Sequence, residues 1–300
     1  MRKYITHEMT FSVSTTGGLE IEHYPEDFDN DRHPTLYNTH SHTFYEILWF
    51  PEAGGMHNID FVDYPIEKNT FFFISPGQLH HYYKNSGRNL IVKFVPEFLN
   101  DESVSSDIFL RYSIFNAFEG KPKLVIEDID VMRSIYNIMA ALERELPRVE
   151  QFGHLRFMQS LVSLLLIAFE RIETTGMDSK GQPLHDSNIL HLNLGNPTHA
   201  LFMRFRQAVE KDFTNIHTVA GYAEKIGVNS KYLANVVHEC SSHTPLQLIN
   251  DRILLEAKRL LRYSDKKIKD IANDLGYEDP SYFVKFFKRQ TGMLPTEFRG

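Results

Sequence analysis

The groups in this sequence best suited to chemistry are a few histidines and a carboxylate within its first hundred residues. His40 and His42 flank Ser41, and Glu46 follows four positions later. Side chains alternate along a strand, so offsets of 0, +2 and +6 put these three on one face if the strand is continuous. A turn at Pro76-Gly77 then introduces His80 and His81. Three imidazoles and a carboxylate suit Zn, Fe, Mn or Ni. The same groups serve as hydrogen-bond partners for a small bound molecule or for the backbone around them. His40, His42, Glu46 and His80 are therefore read as an effector-binding group, with no metal and no cofactor required. Phe44, Tyr45, Trp49 and Phe71 to Phe73 are candidate pocket residues, although aromatics on strands are commonly plain core.

The elements that must carry these groups are short strands. Glu46 to Phe50, Asn58 to Val62, Thr70 to Ser75 and Asn89 to Val95 are aromatic and β-branched runs, separated by Gly54-Gly55, Pro65, Pro76-Gly77 and Ser86-Gly87. Closely spaced short strands predict a sandwich or small barrel over residues 1–125. The H-x-H-x3-E and P-G-x2-H arrangement resembles cupin sensor domains over about sixty residues. In metal-binding cupins the positions matching His40, His42, Glu46 and His80 are ligands, and in many cupin-like sensors the pocket takes a small effector instead.

From Asp128 the periodicity changes. Val131, Ile135, Ile138, Met139 and Leu142 recur at helical spacing until Pro147, and a second helix carries Leu155, Met158, Leu161, Val162, Leu165, Leu166 and Phe169. That second stripe is wider than one neighbour needs, so residues 126–173 are expected to couple the barrel to the rest of the chain and are a candidate homodimer face, the equal alternative being that the whole stripe packs on the strand domain. Residues 174–198, with Gly176, Gly181, Pro183, Gly195 and Pro197, read as a linker.

Residues 199–300 contain an internal repeat. Ala223, Ile226 and Gly227 match Ala272, Leu275 and Gly276 at an offset of 49. Tyr232, Leu233, Val236, Val237 and Pro245 match Tyr282, Phe283, Phe286, Phe287 and Pro295 at an offset of 50. Each copy reads as a helix ended by glycine, a cap (Asn229 or Asp279) and a second helix, with Pro280 at the first helical position of the later copy. Pro245 to Tyr263 forms one amphipathic helix between the copies, a connector able to set two recognition helices about one turn of DNA, ~34 Å, apart. With Leu233, Val236, Val237, Phe283, Phe286 and Phe287 buried, the outward positions are Lys231, Ala234, Asn235 and His238 in the first copy. In the second they are Ser281, Val284, Lys285, Lys288 and Arg289. Lys285 suits guanine, Asn235 adenine, and Ala234 or Val284 a thymine methyl, whereas Lys288 and Arg289 suit phosphates.

This pattern resembles the AraC/XylS family of transcription regulators across roughly the last hundred residues. The strongest part is I-x-x-I-A-x-x-L-G-Y-x-D-P-S-Y-F-x-x-F-F-K-x-x-T-G-x-x-P-x-x-F-R from Ile268 to Arg299. The first copy departs from it at Ser242, opposite Gly292, and at Ala234, where the family has a bulky or basic residue. The resemblance implies a two-domain α+β chain, with a cupin-like barrel and helices followed by an all-α double helix-turn-helix. It further implies duplex promoter DNA as partner, a small-molecule effector, and RNA polymerase as a further candidate partner.

Charge agrees with that division. Residues 1–198 hold 16 Lys and Arg against 27 Asp and Glu, a net of -11, and residues 199–300 hold 16 against 12, a net of +4. The single cysteine, Cys240, excludes an internal disulfide, and no apolar run approaches the ~20 residues of a spanning helix, so the cytoplasm is the expected compartment. The chain is thus read as a one-component regulator, not an enzyme, in which effector binding shifts the helices between Asp128 and Ile172 and alters DNA engagement. Two alternatives stand beside it: a metal-dependent cupin catalyst with a DNA-binding tail, and paired helical units that bind protein.

Overall fold

A computed structural model of the chain describes residues 5–7, 18–24, 38–84, 89–99, 112–115, 122–175, 197–241 and 243–300. The glycines of the expected linker and Ser242 lie outside these residues. The chain divides into two compact units, one within Ile5–Met177 and one within Asp178–Gly300.

The first unit pairs two sheets. One is ordered β1-β3-β8-β5-β6, from β1 (Ile5–His7), β3 (His40–His42), β5 (Met56–Ile59), β6 (Val62–Pro65) and β8 (His80–Lys84). The other is ordered β10-β7-β4-β9-β2, from β2 (Leu19–Tyr24), β4 (Tyr45–Phe50), β7 (Thr70–Ile74), β9 (Asn89–Phe94) and β10 (Lys123–Val125). The central strands of the second sheet, β4, β7 and β9, are buried on both faces because both are covered. Leu48, Phe50, Phe72 and Ile91 meet Ile59 and Tyr82 of the first sheet in an inner core. Tyr45, Ile47, Phe71, Phe73, Val92 and Phe94 pack outward against helices.

Two strand expectations change. The run Asn58 to Val62 is not one strand but a hairpin, β5 and β6, turned at Asp60 and Phe61 with φ of 45° and 74°. Asp tolerates the left-handed region but Phe seldom enters it, and with no glycine, proline or asparagine at these two positions composition hid the turn. The Asp60 carboxylate holds it, accepting from the Leu79 N–H at 3.2 Å and the Gln78 amide at 3.1 Å. The strand through the histidines is likewise broken at Thr43-Phe44, so β3 and β4 belong to different sheets.

Helix α1 (Ile129–Glu145) starts on Asp128, whose carboxylate accepts from the Asp130 and Val131 N–H groups. With α2 (His154–Thr175) it covers the outer face of the second sheet, the Phe169 ring lying 4.9 Å from both Phe71 and Phe73. Most of the α2 stripe read from sequence, Met158, Val162, Leu165, Leu166 and Phe169, is buried here. The surplus apolar surface is carried by Leu155 and by a neighbouring row, Phe157, Leu164 and Ile167, all 40 to 51% exposed.

The second unit is helical: α3 (Pro197–Asp212), α4 (Val219–Lys225), α5 (Ser230–Cys240), α6 (Pro245–Tyr263), α7 (Ile268–Asp274), α8 (Pro280–Thr291) and α9 (Pro295–Arg299). Helix α6 begins with a capping box in which Thr244 and Gln247 satisfy each other's backbone. It runs through the shared core by Leu248, Ile249, Ile253, Ala257 and Leu261. Its buried Arg252 donates to Glu210 of α3 at 2.8 Å and to Glu256 at 3.1 Å, and lies 3.7 Å from the Phe213 ring centroid. Among the described residues no helix is long and apolar enough to cross a membrane.

Candidate functional site

Helices α4 and α5 form one helix-turn-helix and α7 and α8 another, and their backbone hydrogen bonds repeat residue for residue. Gly227 N–H donates to Glu224 O at 3.0 Å and Val228 N–H to Ala223 O at 2.9 Å; Gly276 N–H donates to Asn273 O and Tyr277 N–H to Ala272 O, both at 2.9 Å. Gly227 and Gly276 take φ of 76° and 81°, the left-handed state that glycine reaches without a Cβ penalty. The second helix of each copy then starts on its expected cap: Asn229 accepts from the Tyr232 N–H, and Asp279 from the Ser281 N–H, each at 2.8 Å. The Ser281 backbone bond holds the Asp279 carboxyl below its ordinary range.

Burial repeats as closely. Leu233, Val236 and Val237 of α5 are buried, and so are Phe283, Phe286 and Phe287 at the matching positions of α8. Lys231, Asn235 and His238 are exposed and Ala234 half-buried; Ser281, Lys285, Lys288 and Arg289 are exposed and Val284 half-buried. Both helices thus present a polar face, each with one small apolar side chain at its edge. Tyr232 and Tyr282, which sequence reading used only to align the copies, are 45% and 66% exposed in the first turn of that face. Their signal was position: each immediately precedes the first core residue of its helix and falls outside the buried i, i+3, i+4 row. The Lys285 ammonium sits 5.6 Å from the Tyr282 ring centroid. Burial, then Glu239, push the Cys240 thiol up to about 11, which disfavours the nucleophilic thiolate.

In the first unit the four expected residues converge, by a route different from the single strand face anticipated. Six residues of continuous strand would separate His40 from Glu46 by about 20 Å. Because the chain instead crosses from one sheet to the other at Thr43-Phe44, Glu46 turns inward from β4 and faces the histidines of β3 and β8. His42 Nε2 lies 3.3 Å from Glu46 Oε2, and His80 Nε2 lies 3.9 Å from it. His40 is the register partner of His80, with ring centroids 4.2 Å apart. All four are at most 5% exposed. His81 points away from this group to the Thr39 hydroxyl, 3.1 Å from its Nδ1.

Backbone carbonyls orient two of the rings. His42 Nδ1–H donates to Phe44 O at 2.7 Å and His40 Nδ1–H to Asn38 O at 2.9 Å, because a carbonyl only accepts. A fifth residue, His57 of β5, was missed; its Nε2 lies 3.1 Å from His80 Nδ1. The hairpin explains the omission, since a strand begun at Asn58 excludes His57. Burial alone would raise the Glu46 carboxyl, but His42 beside it, that pair's hydrogen bond, Lys93 and His40 bring it down to about 2. Burial pushes His57 down to about 3 despite Glu46, and burial with the surrounding histidines holds His80 well below its ordinary value. At neutral pH the group therefore holds an ionised Glu46 carboxylate beside neutral His57 and His80 imidazoles. Of the aromatics proposed to line the pocket, Phe72 faces the interior and lies 4.6 Å from His57, whereas Tyr45, Phe71 and Phe73 belong to the outer core. Phe44 stacks on His42 at 4.0 Å, and Trp49 stacks on Phe71 on the helix side of the sheet.

Residues 25–161 match the family described as the AraC-like ligand binding domain, and residues 222–300 match the helix-turn-helix domain family. The chain belongs to the AraC/XylS family. Its two family matches are regulatory modules, a ligand-binding domain ahead of a DNA-binding one, and this AraC/XylS chain is a transcription regulator and not an enzyme. It is 23% identical over 273 residues to the HTH-type transcriptional activator RhaR of Escherichia coli strain K12, covering 90% of this chain and 89% of that protein. Among solved structures, ToxT from Vibrio cholerae is similar at 18% identity over 94% of this chain and 98% of that one, with a TM-score of 0.40. The C-terminal domain of the response regulator yesN from Fusobacterium nucleatum is similar at 24% identity over 32% of this chain and 94% of that domain, with a TM-score of 0.30.

Proposed function

We propose that this AraC/XylS regulator activates transcription by laying α5 and α8 into two successive major-groove segments of promoter DNA, under control of an effector held in the first unit. The observation that carries this reading is the duplicated exposure pattern of the two helices, each buried along one row and polar along the other. On that face Lys285 suits the O6 and N7 of guanine, Asn235 an adenine, and Ala234 or Val284 a thymine methyl. Lys231, His238, Ser281, Lys288 and Arg289 are assigned to phosphates or the groove edge, where they position the module without reading sequence. Activation follows the description of RhaR and would place RNA polymerase beside the bound regulator.

His40, His42, Glu46 and His80 form the polar end of the effector site. For the effector to control DNA binding it must bind two arrangements of the chain unequally, so its affinity and that of DNA are linked. Phe157, Leu164 and Ile167, spaced along one exposed row of α2, support a homodimer with a second copy through that row. In this reading the chain comprises a barrel over 1–125, coupling helices over 126–173, a linker over 174–198 and the DNA module over 199–300.

The deciding measurement is the fluorescence anisotropy of labelled promoter fragments, titrated with the full chain over a range of salt concentrations. The reading requires affinity that falls steeply as salt rises, because each neutralised phosphate releases counterions. Affinity indifferent to salt, or absent, would overturn it and favour a protein partner for the paired helices.

A further inference from the structure

The turns of the two helix-turn-helix copies share a backbone but differ in what lies against them. A Cβ at Gly227 would meet nothing within 4 Å. At Gly276 the same atom would lie 1.8 Å from the Thr214 carbonyl oxygen and 3.3 Å from His217 Nε2. Both contacts come from the segment between α3 and α4, which leads into the first copy. The next position differs in step, with Val228 in the first copy and Tyr277 in the second. The Tyr277 ring centroid lies 4.7 Å from that of His217, and 5.7 and 5.8 Å from those of Phe283 and Phe286 in the buried row of α8. Burial holds His217 below its ordinary value, so an uncharged imidazole makes this contact at neutral pH.

The segment is itself anchored outside the second copy. Ile216 packs on α4 so closely that a Cβ at Gly221 would lie 2.8 Å from its Cγ2. The Phe213 ring centroid lies 3.7 Å from the guanidinium of Arg252 in α6, which also donates to Glu210 of α3. A glycine turn needs no such neighbour, because the first copy makes the same backbone hydrogen bonds with open space beside it. The contact at Gly276 therefore relates one copy to the other. Helix α6 runs between them and sets their distance, but contacts along one helix resist rotation about its axis poorly. A contact off that axis resists it well.

We propose that His217 and Tyr277 are positioning residues for sequence recognition, whose ring contact locks the rotation of the second helix-turn-helix against the first and so fixes the one separation of DNA segments that α5 and α8 read together. One base pair moves a recognised segment by ~3.4 Å and about a tenth of a turn. A rigidly held pair of helices then accepts one separation, and a loosened pair accepts its neighbours. This rests on the reading that both helices enter the major groove, and adds to it the residues that set the spacing.

The test is a selection of randomised duplexes by the full chain, followed by anisotropy on the enriched sequence with one base pair inserted or removed between its two recognised segments. The parent should enrich a single separation and lose affinity at least about tenfold on either change, the scale of a mismatched contact. His217→Ala and Tyr277→Val should enrich neighbouring separations too and shrink that loss to about threefold or less, with base preference inside each segment unchanged. His217→Phe keeps a flat ring against Tyr277 and should keep the single separation. Should Tyr277→Val lose its helical circular dichroism, the two His217 variants decide. A single separation retained in His217→Ala, or widening in His217→Phe as great as in His217→Ala, overturns the positioning role alone. A parent that enriches only one segment overturns the two-groove reading beneath it.

Discussion

The two helix-turn-helix copies share a backbone and differ in chemistry. Their glycine turns, capped second helices and buried rows coincide position by position, yet the outward side chains do not. Helix α5 carries Lys231 and Glu239, which cancel, whereas α8 carries Lys285, Lys288 and Arg289 without an acidic residue within its span. Their ends also differ: α8 closes on Gly292 at φ 78°, while α5 closes on Ser241 in extended backbone. Duplication thus preserved what the fold needs, a row of apolar contacts and a left-handed turn, and released what touches the partner. The two polar faces therefore differ in charge, that of α8 being the more basic and that of α5 presenting Asn235 beside Ala234.

The largest effect expected concerns the cores. Phe287→Ala should cost about 3 to 5 kcal/mol, and Leu233→Ala in the first copy about 2 to 5; urea unfolding of the full chain measures both, and equal DNA affinity for Phe287→Ala and the parent would break the view that α8 must be packed to bind. Next, the two turn glycines separate sharply despite equal φ. A Cβ at Gly227 meets nothing within 4 Å, but at Gly276 it would lie 1.8 Å from the Thr214 carbonyl oxygen. Gly227→Ala should therefore cost only the left-handed penalty, about 1 to 2 kcal/mol. Gly276→Ala adds overpacking of about 1 to 3 kcal/mol to that penalty. Similar midpoints for the two variants would show that the copies are equally supported.

Smaller effects lie at the surface. Lys285→Ala should lose about 1 to 3 kcal/mol of binding and relax preference at one base pair, and Asn235→Ala should relax another without changing salt dependence. A selection of bound sequences with each variant reads this directly; unaltered preference in Lys285→Ala makes it a phosphate contact. The smallest change is expected for Lys288→Ala, which should leave the preferred sequence intact and reduce the slope of log affinity against log salt by about 1.

How much could be read in advance follows the same division. The caps Asn229 and Asp279, the proline at α8, both glycine turns and the buried triplets were legible because each depends on residues within about four positions of one another. Of the barrel strands, those that became β4, β7 and β9 were legible, but neither the remaining strands nor the pairing was. Asp60-Phe61 carries no glycine or proline to announce a turn, and so β5 and β6 merged and His57 disappeared from view. The α2 stripe was visible, but which apolar residues remained outside it was not: Phe157, Leu164 and Ile167 are as apolar as their buried neighbours.

By its own pattern, the sequence established the repeat, the helix ends, the identity of the four polar residues in the barrel and the opposite charge of the two parts of the chain. These are properties of composition and of spacing along one helix or strand, and local backbone preference is enough to express them. Tertiary structure alone decided that His42 and Glu46 meet across two sheets, that His57 stands behind His80, and that Gly276 but not Gly227 abuts another segment. Those contacts join residues whose neighbourhood depends on how the chain crosses from layer to layer, and no short-range periodicity encodes that path.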